Sequence, residues 1–238
     1  MTKAVLFDLD GTLLDVDMEY FLPHYLKRLA AHFAGLVEPE TFVPGLLAST
    51  QAMIENLDPD VTNKEAFYQH FCSWMSHPVE KINPLIHDFY QNIFPQLEHL
   101  VRRYDHTPEV MAKAKELGYS LVLATNPIFP LEAIYHRMSW AGLNKEDFAL
   151  ITSYESMHFS KPHPQYYLEI AEKIDTAPQD CLMIGNDVDD DIAAAAKAGM
   201  KTFLVENLVV NKSGCKSQAD FCGRVEDIPA FLEKLKGE

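Results

Sequence analysis

The sequence predicts an α/β fold: a parallel sheet flanked by helices and interrupted near its start by a long all-helical insert. Three observations carry this reading. The chain opens on an apolar run, Ala4 to Phe7, that ends abruptly in Asp8-Leu9-Asp10-Gly11-Thr12, as a buried strand with a polar tip does. From about Val16 to Leu100 apolar residues recur at helical spacing, with no strand-like run among them. From His106 onward, short apolar runs alternate with helical stripes, the pattern of parallel strands joined by crossover helices.

Taken in order, the first strand points Asp8 and Asp10 to one side, because side chains alternate along an extended chain. Gly11 then permits a tight turn. In the insert, Leu22, Leu26, Leu29 and Phe33 form one apolar set. Phe42, Leu46, Ile54 and Leu57 form a second, Phe67, Phe71 and Trp74 a third, and Ile82, Leu85, Phe89 and Ile93 a fourth. Pro23 lies within the first set, so that helix is expected to start late or to kink. The many aromatic residues here could line a ligand cavity, but most are read as core, which a small bundle needs. Residues 1–15 and 100–238 are expected to form one α/β unit, and 16–99 a helical one.

Beyond the insert, Thr107 reads as a helix cap with Pro108 at the first helical position, and Gly118 as the stop. Tyr119 to Ala124 is a strand ending in Thr125-Asn126-Pro127, followed by a helix from Pro130 to Ala141. Phe148 to Thr152 is the next strand, and a polar loop from Ser153 to His163 leads to a helix beginning at Pro164. Cys181 to Ile184 is a strand ending in Gly185-Asn186-Asp187, with a helix over Asp191 to Ala198. Met200 to Val205 is a strand, Asn207 to Arg224 is irregular, and Ile228 to Leu235 closes with a helix.

Composition removes several function classes. A net charge of −15 disfavours nucleic acid as a partner, because phosphate backbones require basic patches. No window approaches the ~20 apolar residues of a membrane-spanning helix. One lysine followed by an acidic pair is not a secretory signal. The four cysteines lack a CxxC spacing, so the reading is a disulfide-free cytoplasmic protein. The histidines of the insert show no metal-ligand spacing.

In parallel sheets ligands sit at the carboxyl ends of the strands. That edge receives Asp8 and Asp10, Thr125 and Asn126, and Asp187, with Lys161 in a loop that can reach it. Two carboxylates crowded at a strand tip need a proton or a cation between them. Both remedies suit phosphoryl transfer, in which one acid attacks, one carries a proton and a cation holds phosphate oxygens.

With these motifs in this order, the chain resembles the haloacid dehalogenase-like hydrolase superfamily. The first motif is matched by Asp8-Leu9-Asp10-Gly11-Thr12 and the second by Thr125 with Asn126. The third is matched by Ser160-Lys161-Pro162-His163-Pro164, and the fourth by Asp187 and Asp191 ahead of Ile192-Ala193-Ala194-Ala195-Ala196-Lys197-Ala198-Gly199-Met200. Asn186 stands where a common form of the fourth motif has glycine, and counting back from Ala198-Gly199 puts Asp187 at the metal position. The resemblance implies a Rossmann-like core, with the insert between first and second motifs as a mobile cap. It implies Asp8 as nucleophile and Asp10 as acid–base, with Mg²⁺ on Asp8, the Asp10 carbonyl and Asp187. Thr125, Asn126 and Lys161 would hold phosphate, and Asp191 would stand behind them.

The expected activity is an Mg²⁺-dependent phosphatase acting on a small phosphorylated metabolite. Asp10 disfavours the dehalogenase and phosphonate-cleaving branches, which lack that second acid. A phosphomutase using the same residues and a catalytically idle binding protein remain as alternatives.

Overall fold

The computed structural model describes residues 1–237. Its first strand, β1 (Ala4–Phe7), is buried at every position, because it has a neighbour on each side and a helical layer on each face. Val5 and Phe7 point into one apolar cluster, Ala4 and Leu6 into another, as the two-residue period dictates.

Two short strands bound the insert. β2 (Leu14–Asp15) follows the Gly11 turn, and β3 (Arg102–Arg103) pairs with it antiparallel. The helices between them are α1 (Met18–Phe33), α2 (Pro39–Glu55), α3 (Asn63–Met75) and α4 (Val79–Asp88), followed by π-helical and 3₁₀ turns to Leu100. The start of α1 is set by Asp17, whose carboxylate accepts the Glu19 and Tyr20 amides at 2.9 and 3.4 Å. This side-chain cap corrects the expectation of a late start: the helix runs through Pro23. Likewise α3 begins with a capping box between Thr62 and Glu65, which satisfies two otherwise unpaired amides.

The remaining elements alternate. They are α5 (Thr107–Glu116), β4 (Ser120–Leu123), α6 (Leu131–Ala141), β5 (Leu150–Ile151), α7 (Pro164–Lys173), β6 (Cys181–Gly185), α8 (Ala194–Lys197), β7 (Lys201–Val205), β8 (Phe221–Gly223) and α9 (Ile228–Gly237). Apart from the β2–β3 ribbon, the strands form a six-stranded parallel sheet in the order β5-β4-β1-β6-β7-β8. Helices α5, α6 and α9 pack with the insert on one face, and α7 and α8 on the other. This is the Rossmann-like architecture that the sequence predicts, with β1 central.

Three sequence expectations need correction. Thr107 is not a cap: its hydroxyl donates to the Leu13 carbonyl at 2.7 Å, tying α5 to the turn after β1. The stretch read as irregular contains β8, an edge strand that forms by pairing with β7. The helix expected from Asp191 begins earlier, as a π-helical segment from Val188 to Ala193. No helix among the described residues is long and apolar enough to cross a membrane.

The insert packs closely on the sheet layer. A single apolar cluster contains Val5 and Phe7 of β1 together with Phe33, Phe42 and Phe71 of the insert. Phe94 stacks on Trp140 of α6 with ring centroids 5.2 Å apart.

Candidate active site

The site forms where β1, β4 and β6 end. Residues Ala4 to Phe7 align with Ser120 to Leu123 on one side and Cys181 to Ile184 on the other, so the polar residues after each run emerge together. The Asp8 amide still donates to the Ile184 carbonyl at 2.9 Å, which fixes its side chain at the strand tip. Gly11 turns the chain with φ of +85°, and a β-carbon there would collide with Asn186. Both facts require glycine.

Lys161 is the hub. Its ammonium lies 2.8 Å from Asp8 Oδ1 and 2.6 Å from Asp191 Oδ1, and all three residues are buried. The loop that delivers it is braced by Glu169, whose carboxylate accepts the His158 and Phe159 amides. It is also held by Asn126, whose Oδ1 accepts the Lys161 amide at 3.3 Å. Burial pushes the Asp8 and Asp191 carboxyls above the usual range, and the Lys161 charge pulls against it. Burial alone would lower the Lys161 ammonium, but the carboxylates of Asp191 and Asp8 hold it well above its ordinary value. One lysine thus offsets two buried acids.

Asp10 is oriented differently. Its Oδ2 accepts Arg137 Nη1 from α6, while its Oδ1 is buried without a partner. The Arg137 guanidinium is itself buried, lies 4.5 Å from the centre of the Phe129 ring, and has Nε and Nη2 unpaired. Sequence reasoning passed over Arg137. A signal existed: it lies on the same stripe as Ala133, Ile134, Met138 and Ala141, all buried, where a charge calls for a partner.

Thr125, two residues past the end of β4, has its carbonyl taken by Thr152 Oγ1 at 2.7 Å and the Tyr166 hydroxyl at 2.9 Å. Its own hydroxyl and the Asn126 amide make no hydrogen bond among the described residues, leaving both as donors for an anion.

After β6, Asp187 accepts the Asp189 and Asp190 amides on Oδ1 and pairs with Lys212 through Oδ2 at 3.0 Å. Asp191 accepts the Asp187 amide at 3.0 Å, so it fixes both the lysine and the turn. A β-carbon on Gly185 would strike that carboxylate. Asn186 instead accepts from Thr12 at 3.2 Å and donates to the Leu208 carbonyl at 2.6 Å, which occupies both ends of its amide with bracing.

No group of three or more His, Cys, Asp or Glu side chains is gathered as a metal cluster among the described residues. The expected set has only two side-chain donors, Asp8 and Asp187, with the Asp10 carbonyl as third. Lys161 takes one oxygen of Asp8 and leaves Oδ2 without a side-chain partner, and the Asp10 carbonyl accepts no backbone bond. Oxygen donors of this kind suit a hard divalent cation, and they fit Mg²⁺ once the exposed Lys212 swings off Asp187.

The family profile described as haloacid dehalogenase-like hydrolase matches residues 5–205. The chain belongs to that family. This haloacid dehalogenase-like hydrolase is 24% identical over 203 residues to pyrophosphatase PpaX of Bacillus cereus, covering 85% of this chain and 82% of PpaX. In fold it is similar to a phosphatase of the family from Thermococcus onnurineus, with a TM-score of 0.61, 19% identity, and coverage of 97% and 98% of the two chains. It is also similar to L-2-haloacid dehalogenase from Xanthobacter autotrophicus, with a TM-score of 0.59, 16% identity, and coverage of 98% and 99%. The hydrolase fold is thus common to different chemistries, and the side chains must discriminate between them.

Proposed function

We propose that this hydrolase is a phosphatase that cleaves a small phosphate monoester through an aspartyl-phosphate on Asp8. The observation that carries the reading is the buried Lys161 ammonium on Asp8, with Asp10 two residues further on. A nucleophilic carboxylate attacking a phosphoryl group needs a fixed positive charge for the oxygens on which charge gathers.

Asp8 attacks phosphorus, and the bond from phosphorus to the ester oxygen breaks. Asp10, protonated, gives its proton to that departing oxygen, so the product is a neutral alcohol. Asp10 then takes a proton from a water molecule whose oxygen attacks the phosphoryl group on Asp8. The Asp8–phosphorus bond breaks, releasing inorganic phosphate and restoring the carboxylate. Thr125 and the Asn126 amide donate to non-bridging oxygens throughout. Arg137 orients Asp10 by its bond to Oδ2, leaving Oδ1 free for the proton transfers. Mg²⁺, held by Asp8, the Asp10 carbonyl and Asp187, would supply Lewis-acid neutralisation of the phosphate oxygens.

Residues 16–99 are proposed to act as a cap over this site, joined to the core through β2 and β3. Closure would exclude water during attack by Asp8 and readmit it for hydrolysis.

The test is phosphate release from a panel of phosphate monoesters with Mg²⁺. Asp8→Asn should retain the fold by circular dichroism and lose at least ~10³-fold in kcat, as removal of a nucleophile does. Undiminished turnover in Asp8→Asn would overturn the assignment.

A further inference from the structure

The corner between α2 and α3 brings the insert against the loops of the candidate site. Asn63, the first residue of α3, is fully buried. Its side-chain nitrogen Nδ2 donates to the Pro127 carbonyl at 3.3 Å and to the Phe159 carbonyl at 3.1 Å. Pro127 directly follows Thr125 and Asn126, and Phe159 lies two residues before Lys161. One side chain of the insert thus joins the two stretches that would hold phosphate. The backbone docks on the second of them as well. The Asn63 amide donates to the Met157 carbonyl and the Lys64 amide to the Tyr154 carbonyl, both at 2.8 Å. At the far end of that loop, His163 Nε2 donates to the Ile54 carbonyl of α2 at 2.9 Å.

These partners explain the residue type. Thr62 and Glu65 already cap α3, so the side chain of Asn63 adds nothing that the helix lacks. A buried amide is costly unless it is bonded. Only Nδ2 can serve two carbonyls, because an oxygen has no proton to give them. Oδ1 stays buried without a partner. Within the core, the two stretches meet where the Tyr154 amide donates to Phe129 at 3.2 Å and where the Lys161 amide donates to Asn126 at 3.3 Å. Asn63 ties them between those points, just ahead of the lysine that reaches Asp8.

Resting on the phosphatase reading, we propose that Asn63 is a positioning residue for phosphoryl transfer. It holds the Lys161 loop and the Asn126 turn in register, so that the ammonium and the backbone amide face one phosphoryl group. Both groups answer charge that builds in the transition state, so their misplacement falls on kcat rather than on KM.

Asn63→Ala removes the two side-chain bonds and keeps the backbone docking and the cap of α3. Asn63→Asp keeps the size of the side chain and suits the start of a helix, but its carboxylate donates to neither carbonyl. Ser49→Ala is the control, because Ser49 is equally buried and its hydroxyl bonds only Gly45 and His70, both within the insert. With p-nitrophenyl phosphate and saturating Mg²⁺, kcat should fall ~10–100-fold in both Asn63 variants, with KM within about threefold of wild type. Ser49→Ala should keep kcat within about twofold of wild type. Amide hydrogen exchange read by mass spectrometry reports on the loops without turnover. Peptides covering residues 125–129 and 154–161 should exchange ~10–100-fold faster in the Asn63 variants, the range that two hydrogen bonds are worth. Peptides of β7 should be unchanged. An equal loss of kcat in Ser49→Ala, a loss confined to KM, or unchanged exchange in either stretch would overturn the proposal. Faster exchange in both stretches of a protein that hydrolyses no phosphate ester would uphold Asn63 as the tie between the loops and overturn the phosphatase reading.

Discussion

Lys161 is the residue on which the site's electrostatics turn. It offsets two buried carboxylates at 2.8 and 2.6 Å, so its removal leaves both uncompensated. Breaking a buried pair in this way costs ~3–5 kcal/mol. Lys161→Met should therefore lower stability by about that amount near neutral pH in metal-free protein. The sign of its pH dependence follows from the carboxylates. Without Lys161 their folded-state values rise further above those of the unfolded chain, so the native state binds more protons and loses stability as pH rises. The deficit of Lys161→Met against wild type should be small near about pH 4 and grow toward about pH 7. Urea titrations at the two pH values check this, and a deficit independent of pH would count against it. Lys161, Asp8, Asp10 and Asp187 were legible in the sequence because each lies just past an apolar run or in a loop that parallel topology brings to one edge. Arg137 was not, because a residue inside a helix announces itself only when its stripe is known to be buried. Nor was Lys212, an exposed residue of an aperiodic stretch that tertiary contacts carry to Asp187.

At the scale of elements, the turn after β6 is clamped by the segment that follows β7. Val188 and Asn186 exchange backbone bonds with Val210 at 2.9 and 3.0 Å, and Asn186 donates to Leu208. That segment also carries Lys212 onto Asp187 and Asp190. On the proposed reading Asp187 is the metal donor, and Lys212, paired with it here, is a resident cation that Mg²⁺ would displace. Asp187→Ala should raise the Mg²⁺ concentration needed for half-maximal activity at least ~10-fold. Asn186→Ala should raise it less, and Lys212→Ala should lower it a few-fold by removing a like charge. Magnesium titrations of the three variants give the ranking, and its reversal between Asp187 and Asn186 would reassign the ligand. Most strands and helices were readable from their periods and their Gly and Pro punctuation. The exceptions share one cause. β8 and the β2–β3 ribbon are only two or three residues long and owe their form to a neighbour rather than to local pattern. The π-helical start at Val188 likewise reflects Asp187 capping two amides while Asp191 is held by Lys161, a demand made by the site.

Over the whole molecule, insert and core share one apolar cluster, and the insert leaves the core through paired strands. Units that share a core unfold together. Thermal unfolding of the metal-free protein should give a single transition by far-UV and near-UV circular dichroism. Two separated transitions would mean that the insert is an independent unit. If the insert acts as the proposed cap, the shared core would limit its motion to small excursions. All of this geometry converges on one chemical claim, that Asp8 becomes covalently phosphorylated. The direct measurement is acid quenching during turnover of a phosphate ester, followed by peptide mass spectrometry. A phosphoryl group should appear on the peptide containing Asp8 and be absent in Asp8→Asn. Steady phosphate release with no phosphoryl group on Asp8, or with one on another residue, would contradict the account.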